Sequence, residues 1–153
     1  KGNIIMMEGN INADSRLSPL SAKQAYVAFG DQANLPWLKL LKPGYRHCFV
    51  VLEAADCWVL YEPLSHRTEI TVIPTQPSFD PAAWLRHFDY TVVPVMIDPP
   101  RKTAAPWGPF TCVEAVKRVL GVRARFILTP WRLFEFLREQ NEKVVDKSKI
   151  IGY

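Results

Sequence analysis

The sequence predicts an α+β domain in which helices pack against a mainly antiparallel sheet. Three observations carry that reading. The short runs 47–53, 57–62 and 68–73 are rich in β-branched and aromatic residues and follow one another after brief breaks, as the strands of a meander do. Runs with helical spacing open at Asp80-Pro81, at Thr111-Cys-Val-Glu114 and at Thr129-Pro130, each of which is a helix-start signal. At 153 residues, 48% of them apolar and 22% charged, with no shift in composition along the chain, the sequence suits one core rather than two.

In chain order, residues 1–19 are polar and weakly patterned, and they are expected to form an N-terminal arm ahead of a single domain over 20–140. Ser21 to Phe29 places Ala22, Ala25, Tyr26 and Phe29 at helical spacing, behind the cap-like Ser18 and Ser21 and before Gly30, so a short helix is expected there. Leu35 to Leu41 suits one or two further turns, ended by Pro43-Gly44. His47-Cys-Phe-Val-Val-Leu-Glu53 and Cys57-Trp-Val-Leu-Tyr-Glu62 then read as a hairpin around Ala54-Ala55-Asp56, and Thr68 to Ile73 alternates with Ile70 and Val72 on one face. Asp80 caps the next helix, with Pro81 at its first position and Trp84, Leu85 and Phe88 at core spacing, and Tyr90 to Ile97 is a fourth strand.

Of thirteen prolines, Pro94, Pro99, Pro100, Pro106 and Pro109 crowd into 94–109; each removes a backbone donor, so the stretch reads as a loop. Thr111 to Leu120 is a helix closed by Gly121, and Ala124 to Leu128 is a short strand. Thr129-Pro130 opens the last helix, with Trp131, Phe134 and Leu137, or Leu133 and Phe136, facing inward; 141–153 is expected to be a polar C-terminal tail.

Composition narrows the function. The net charge of +4 comes from 19 basic and 15 acidic residues dispersed along the chain, without a basic stripe interleaved with aromatics, so no nucleic-acid partner is expected. Three cysteines, Cys48, Cys57 and Cys112, have no C-x-x-C spacing, which argues for reduced thiols and against a disulfide framework or a metal site. No apolar run is long enough for a transmembrane segment, and KGNIIMMEGN lacks the apolar region of a signal peptide, so a soluble chain is expected.

One constellation could carry chemistry. In Thr111-x-x-Glu114 the threonine caps the helix and the glutamate returns the bond, which puts Cys112 at the first helical position. Free backbone N–H groups and the positive end of the helix dipole there favour thiolate over thiol and can hold an oxyanion. Packing alone could also place a small cysteine at a helix start. A thiolate nucleophile needs a base that later protonates the leaving group, and of the three histidines His47 alone begins a strand; His66 falls in a turn and His87 on the polar side of a helix.

Hairpin register supplies a third member. A two-residue turn at Ala54-Ala55, or a four-residue connection from Glu53 to Asp56, sets His47 directly opposite Glu62. There the carboxylate would orient the imidazole and stabilise its cation. A three-residue loop would instead send Glu62 to the other face. By alternation Cys48 points away from His47 and is expected in the core.

A histidine at the start of a strand, an acidic residue on the next strand, and later a cysteine at a helix N-terminus resemble the circularly permuted branch of the papain-like cysteine hydrolase superfamily, related to NlpC-type peptidases and lecithin-retinol acyltransferase-like proteins. The resemblance covers residues 44–121. It implies a cysteine helix packed on an antiparallel sheet that bears the histidine. It also implies acyl transfer through a thioester, with His47 as general acid and base, the Cys112 backbone N–H in the oxyanion hole, no cofactor, and a peptide or peptidoglycan-like substrate. Thr111-Cys112-Val113-Glu114 departs from the Asn-Cys-Glu-His motif of the acyltransferase relatives. Trp107 and Tyr45 are candidate substrate-binding residues, Trp107 as a cleft wall before the nucleophile and Tyr45 as a donor to an oxyanion, although each also suits plain packing. The readings to be weighed are amide hydrolysis, including that of cell-wall peptides, an acyltransferase or deamidase on the same site, and a non-catalytic structural or binding protein, such as a virion or assembly component, in which Cys112 is merely buried.

Overall fold

The computed structural model describes residues 24–32, 36–74, 78–97 and 109–151. The architecture is α+β: a five-stranded antiparallel sheet, in the order β4-β3-β2-β1-β5, with helices on both faces. Its elements are β1 (Gln24–Gly30), a 3-10 turn (Pro36–Leu40), β2 (His47–Glu53), β3 (Cys57–Pro63), β4 (Thr68–Pro74), α1 (Pro81–His87), β5 (Thr91–Met96), α2 (Cys112–Leu120) and α3 (Pro130–Ile151). The expected N-terminal arm over 1–19 and most of the proline loop lie outside the described residues.

β2, β3 and β4 form the meander that their patterning predicts. The expected helix at Ser21 to Phe29 is instead strand β1, which pairs antiparallel with β2 on one side and β5 on the other. A strand in the middle of a sheet is buried on both faces, and Ala25, Val27, Ala28 and Phe29 are all 0% exposed. A short run that is apolar on both faces carries no period, so its accidental helical spacing misleads.

The two faces have separate cores. On one, Val27, Phe29, Cys48 and Val50 pack with Val113, Val116 and Leu120 of α2 and with Leu133 and Leu137 of α3. On the other, Ala28, Phe49, Val51 and Trp58 pack with Leu85 of α1. Asp80 caps α1 as expected, its Oδ1 accepting from the Ala82 and Ala83 N–H groups at 2.8 and 3.1 Å. Leu85 is buried in that helix, but Phe88, expected at a core position, is 56% exposed at the C-cap.

Two further expectations are corrected. Ala124 to Leu128 forms a turn and irregular backbone rather than a strand, with Phe126 and Leu128 exposed. The helix after Pro130 does not stop at residue 140 but runs to Ile151, so the stretch expected to be a polar tail is helical for most of its length. Leu133 and Leu137 are its deepest residues, and Phe134 stands edge-on to Phe29 at 5.6 Å between ring centroids. Among the described residues no helix is long and apolar enough to cross a membrane.

Candidate active site

Cys112 owes its place to local chemistry. Thr111 has extended backbone, and its Oγ1 accepts the Glu114 N–H at 3.2 Å, which starts α2 at Cys112. Only this half of the expected capping box forms. Both Glu114 oxygens turn along the helix, to Lys117 Nζ at 2.8 Å and Arg118 Nε at 3.0 Å. Val113, Val116 and Leu120 then fasten the helix to the sheet, and Gly121 ends it in the left-handed conformation at φ 73°.

His47 is set by the turn before it. Gly44 takes φ +80°, where L residues are strained, and its N–H donates to Asp31 Oδ1 at 2.9 Å. The same oxygen pairs with Arg46 Nη1 at 3.1 Å, while the Arg46 N–H donates to the Gly30 carbonyl at 2.9 Å. This double tie between the end of β1 and the start of β2 delivers His47 opposite Gly30, 7% exposed.

Glu62 reaches His47 by a path other than the expected one. The Ala54 N–H donates to the Cys57 carbonyl at 2.8 Å, so the hairpin turns at Ala55-Asp56 and pairs Val50 with Tyr61. Continued by one step, that register sets Glu62 opposite Phe49, not His47. The displacement is by an even number of residues, so Glu62 stays on the side of the sheet that His47 and Phe49 share. From this diagonal position a glutamate is long enough to close the gap, and Glu62 Oε1 lies 3.2 Å from His47 Nε2.

The hairpin also parts at the site. Its ladder ends at Val50↔Tyr61, whereas β2 stays paired with β1 as far as His47, and β3 with β4 as far as Pro63. The Cys112 side chain packs against the core that contains Cys48, and its charge is coupled to the Cys48 thiol and to the His47 ring.

These contacts set the charges. The Cys48 thiol, as donor, is the largest influence on Cys112; burial opposes it, and His47 and the Cys48 N–H reinforce it, lowering the pKa from 9.0 to about 5. Burial alone would keep His47 neutral, but hydrogen bonds to Cys112 and Glu62, and the charges of both, raise it from 6.5 to about 9. Cys48 is pushed well above its ordinary value, first by burial and then by its role as donor to Cys112. At neutral pH the site therefore holds a thiolate, an imidazolium and a protonated neighbouring thiol.

The structure thus brings together Cys112, His47 and Glu62. Of the other candidates, Trp107 lies outside the described residues. The Tyr45 ring sits in an aromatic cluster, 4.7 Å from Trp131 and 4.9 Å from Phe134 between centroids, a packing role. His66 and His87 are exposed. Cys48 is buried as expected, yet its thiol is also the first influence on the Cys112 charge, which strand alternation conceals. Its position next to His47 in the sequence is the signal that could have revealed it.

A cleft of about 330 Å³ opens beside His47, lined by Gln32, Leu38, Leu64 and Ser65. Among the described residues no group of three or more His, Cys, Asp or Glu side chains could hold a metal ion. No protein-family model, curated protein or solved structure matches the chain.

Proposed function

We propose that this protein is a cysteine hydrolase of the circularly permuted papain-like type, cleaving amide bonds of a peptide or peptidoglycan-like substrate. The observation that carries the reading is the His47 Nε2–Glu62 Oε1 contact at 3.2 Å together with the opposite pKa shifts that couple His47 to Cys112 at the start of α2, an arrangement of nucleophile, acid/base and orienting carboxylate.

In this mechanism the Cys112 thiolate attacks the scissile carbonyl carbon. The oxyanion faces the free N–H groups at the start of α2, including that of Cys112. His47 donates its proton to the departing amine as the carbon–nitrogen bond breaks, leaving a thioester on Cys112. The neutral imidazole then takes a proton from water, whose oxygen attacks the thioester; the acid leaves and the thiolate returns. Glu62 fixes the ring and stabilises its cation throughout. The cleft beside His47 offers apolar walls, Leu38 and Leu64, and polar groups, Gln32 and Ser65, to a substrate side chain.

Peptide and peptidoglycan-fragment libraries incubated with wild type, Cys112→Ala and His47→Ala test the reading. Release of new amines by wild type alone, with a thioester adduct trapped on Cys112 at acid quench, is the expected result. Equal product from the Cys112→Ala protein, or no turnover together with a Cys112 that alkylates no faster than Cys57, would overturn it.

A further inference from the structure

We propose that the 3-10 turn Pro36–Leu40 docks the protein on an anionic lipid surface and brings the cleft beside His47 to the headgroups. A 3-10 helix has three residues per turn, so side chains three apart eclipse and the turn has three distinct faces. On the first stand Trp37 and Leu40, 58% and 90% exposed. The second is the anchoring face: Leu38 is partly buried and lines the cleft, and the Leu41 N–H donates to the Leu38 carbonyl at 3.0 Å, so that Leu41, also partly buried, continues this row. The third is basic, with exposed Lys39 followed three residues on by exposed Lys42. The chain beyond the turn is tied down, with Lys42 Nζ 2.9 Å from the ring centroid of Trp131 in α3 and the Tyr45 N–H donating to the Lys42 carbonyl at 3.0 Å.

Charge selects the occupant of the apolar face. From Gln32 to Leu52 the chain holds Lys39, Lys42 and Arg46 and no acidic residue, and Asp31 is already paired with Arg46. An exposed Trp–Leu pair beside two lysines suits a surface that is negative outside and apolar just beneath, because an indole settles at headgroup level and ammonium groups meet phosphates. Other exposed apolar side chains lack this combination. Ile70 and Val72 follow Glu69 on β4, and Phe126 borders a groove that carries Glu135 and Glu139. Five residues bury little apolar area, so the docking is reversible and sensitive to salt.

The proposal is independent of the hydrolase reading, since binding is measured without turnover. The protein is sedimented with vesicles of phosphatidylcholine alone and with vesicles of equal parts phosphatidylcholine and phosphatidylserine, at low and at high salt. Wild type should bind the mixed vesicles, leave the phosphatidylcholine ones in suspension without it, and be released by salt. Lys39→Gln should weaken binding about fivefold, the share of one basic residue near an anionic surface. Trp37→Ser combined with Leu40→Ser should weaken it about tenfold or more. Phe126→Ser removes an apolar side chain that is 88% exposed on another part of the surface, and should bind as wild type does.

Equal binding of wild type to both kinds of vesicle, or to neither, overturns the proposal, and so does a loss in Phe126→Ser that matches the loss in the turn variants. If wild type ignores the vesicles but sediments as a dimer that Trp37→Ser dissociates, the turn is a contact between copies of this chain and the lipid proposal is likewise overturned. If the vesicles are bound as expected but no amide is cleaved, the hydrolase reading fails and the docking role stands.

Discussion

His47 and Glu62 meet diagonally across the β2–β3 hairpin, Nε2 to Oε1 at 3.2 Å, rather than in direct cross-strand opposition. The contact is partly buried, with the two side chains 9% and 18% exposed, so water screens it weakly. An opposite charge within about 4–6 Å shifts a pKa by about 1–3 units. Glu62→Gln should therefore lower the His47 pKa by about one unit or more while leaving the ring in place. NMR titration of the imidazole would show it, and an unchanged titration would mean that Glu62 does not act on the ring.

The charge pair should produce a bell-shaped pH profile. Thiolate forms as pH rises through about 5, and imidazolium is lost as it rises through about 9, so any turnover should plateau between these values, whereas alkylation, which needs only the thiolate, should show the acid limb alone. For folding the two signs differ. The His47 contribution comes from a raised pKa, is complete below 6.5 and is lost as pH rises through about 9; the Cys112 contribution comes from a lowered pKa, is complete above 9.0 and is lost as pH falls through about 5. In His47→Ala the acid limb should move upward, because the thiolate loses its cation. Rates of Cys112 modification measured across pH in the two proteins decide the matter.

Glu114 and Lys117 form a buried ion pair behind the nucleophile, with side chains 12% and 5% exposed and a separation of 2.8 Å. Burial alone would raise the Glu114 pKa, but Lys117 and Arg118 prevail and hold it below its ordinary 4.5. The pair's contribution is thus present above pH 4.5 and is lost as pH falls through the lower, folded value. Glu114→Gln leaves the Lys117 ammonium buried with a neutral partner and the Ile127 carbonyl at 3.4 Å, and should cost about 1–3 kcal/mol at neutral pH. Urea unfolding at pH 7 and at pH 3 should show the difference between variant and wild type shrinking in acid.

Gly30, the cross-strand partner of His47, leaves room for a ring rather than for a turn. A Cβ there would lie 2.7 and 2.8 Å from Cε1 and Cδ1 of Tyr90, whose ring also meets Phe49 edge-on at 5.0 Å between centroids. Gly30→Ala should destabilise the fold by about 1–3 kcal/mol, and adding Tyr90→Leu should recover part of that loss. Additive losses in the double variant, measured by denaturant unfolding, would show that the ring is not the obstacle.

Legibility in the sequence differs between the parts of this protein. Cys112 at the first turn of α2 and Asp80 capping α1 could be read directly, because a cap acts over three or four residues. The meander was equally legible, since β2, β3 and β4 follow one another at short spacing. β1 was not, because what makes Gln24–Gly30 a strand is the pair of ladders donated by β2 and β5, one from far along the chain. Glu62 was found with the right partner and the wrong register, since alternation fixes the face while the turn fixes the offset.

By itself the sequence determined the local events: where most helices begin, which residues alternate along a strand, and which thiol stands at a helix end. These follow from backbone donors, φ restrictions and side-chain period, all of which act over a few neighbours. Tertiary structure alone decided that β2 and β3 part beyond Val50 and Tyr61, and that Cys112 comes to lie against the core that contains Cys48. The gap exists because each strand keeps a different outer partner there, and such competition between ladders belongs to the assembled sheet, not to any one segment.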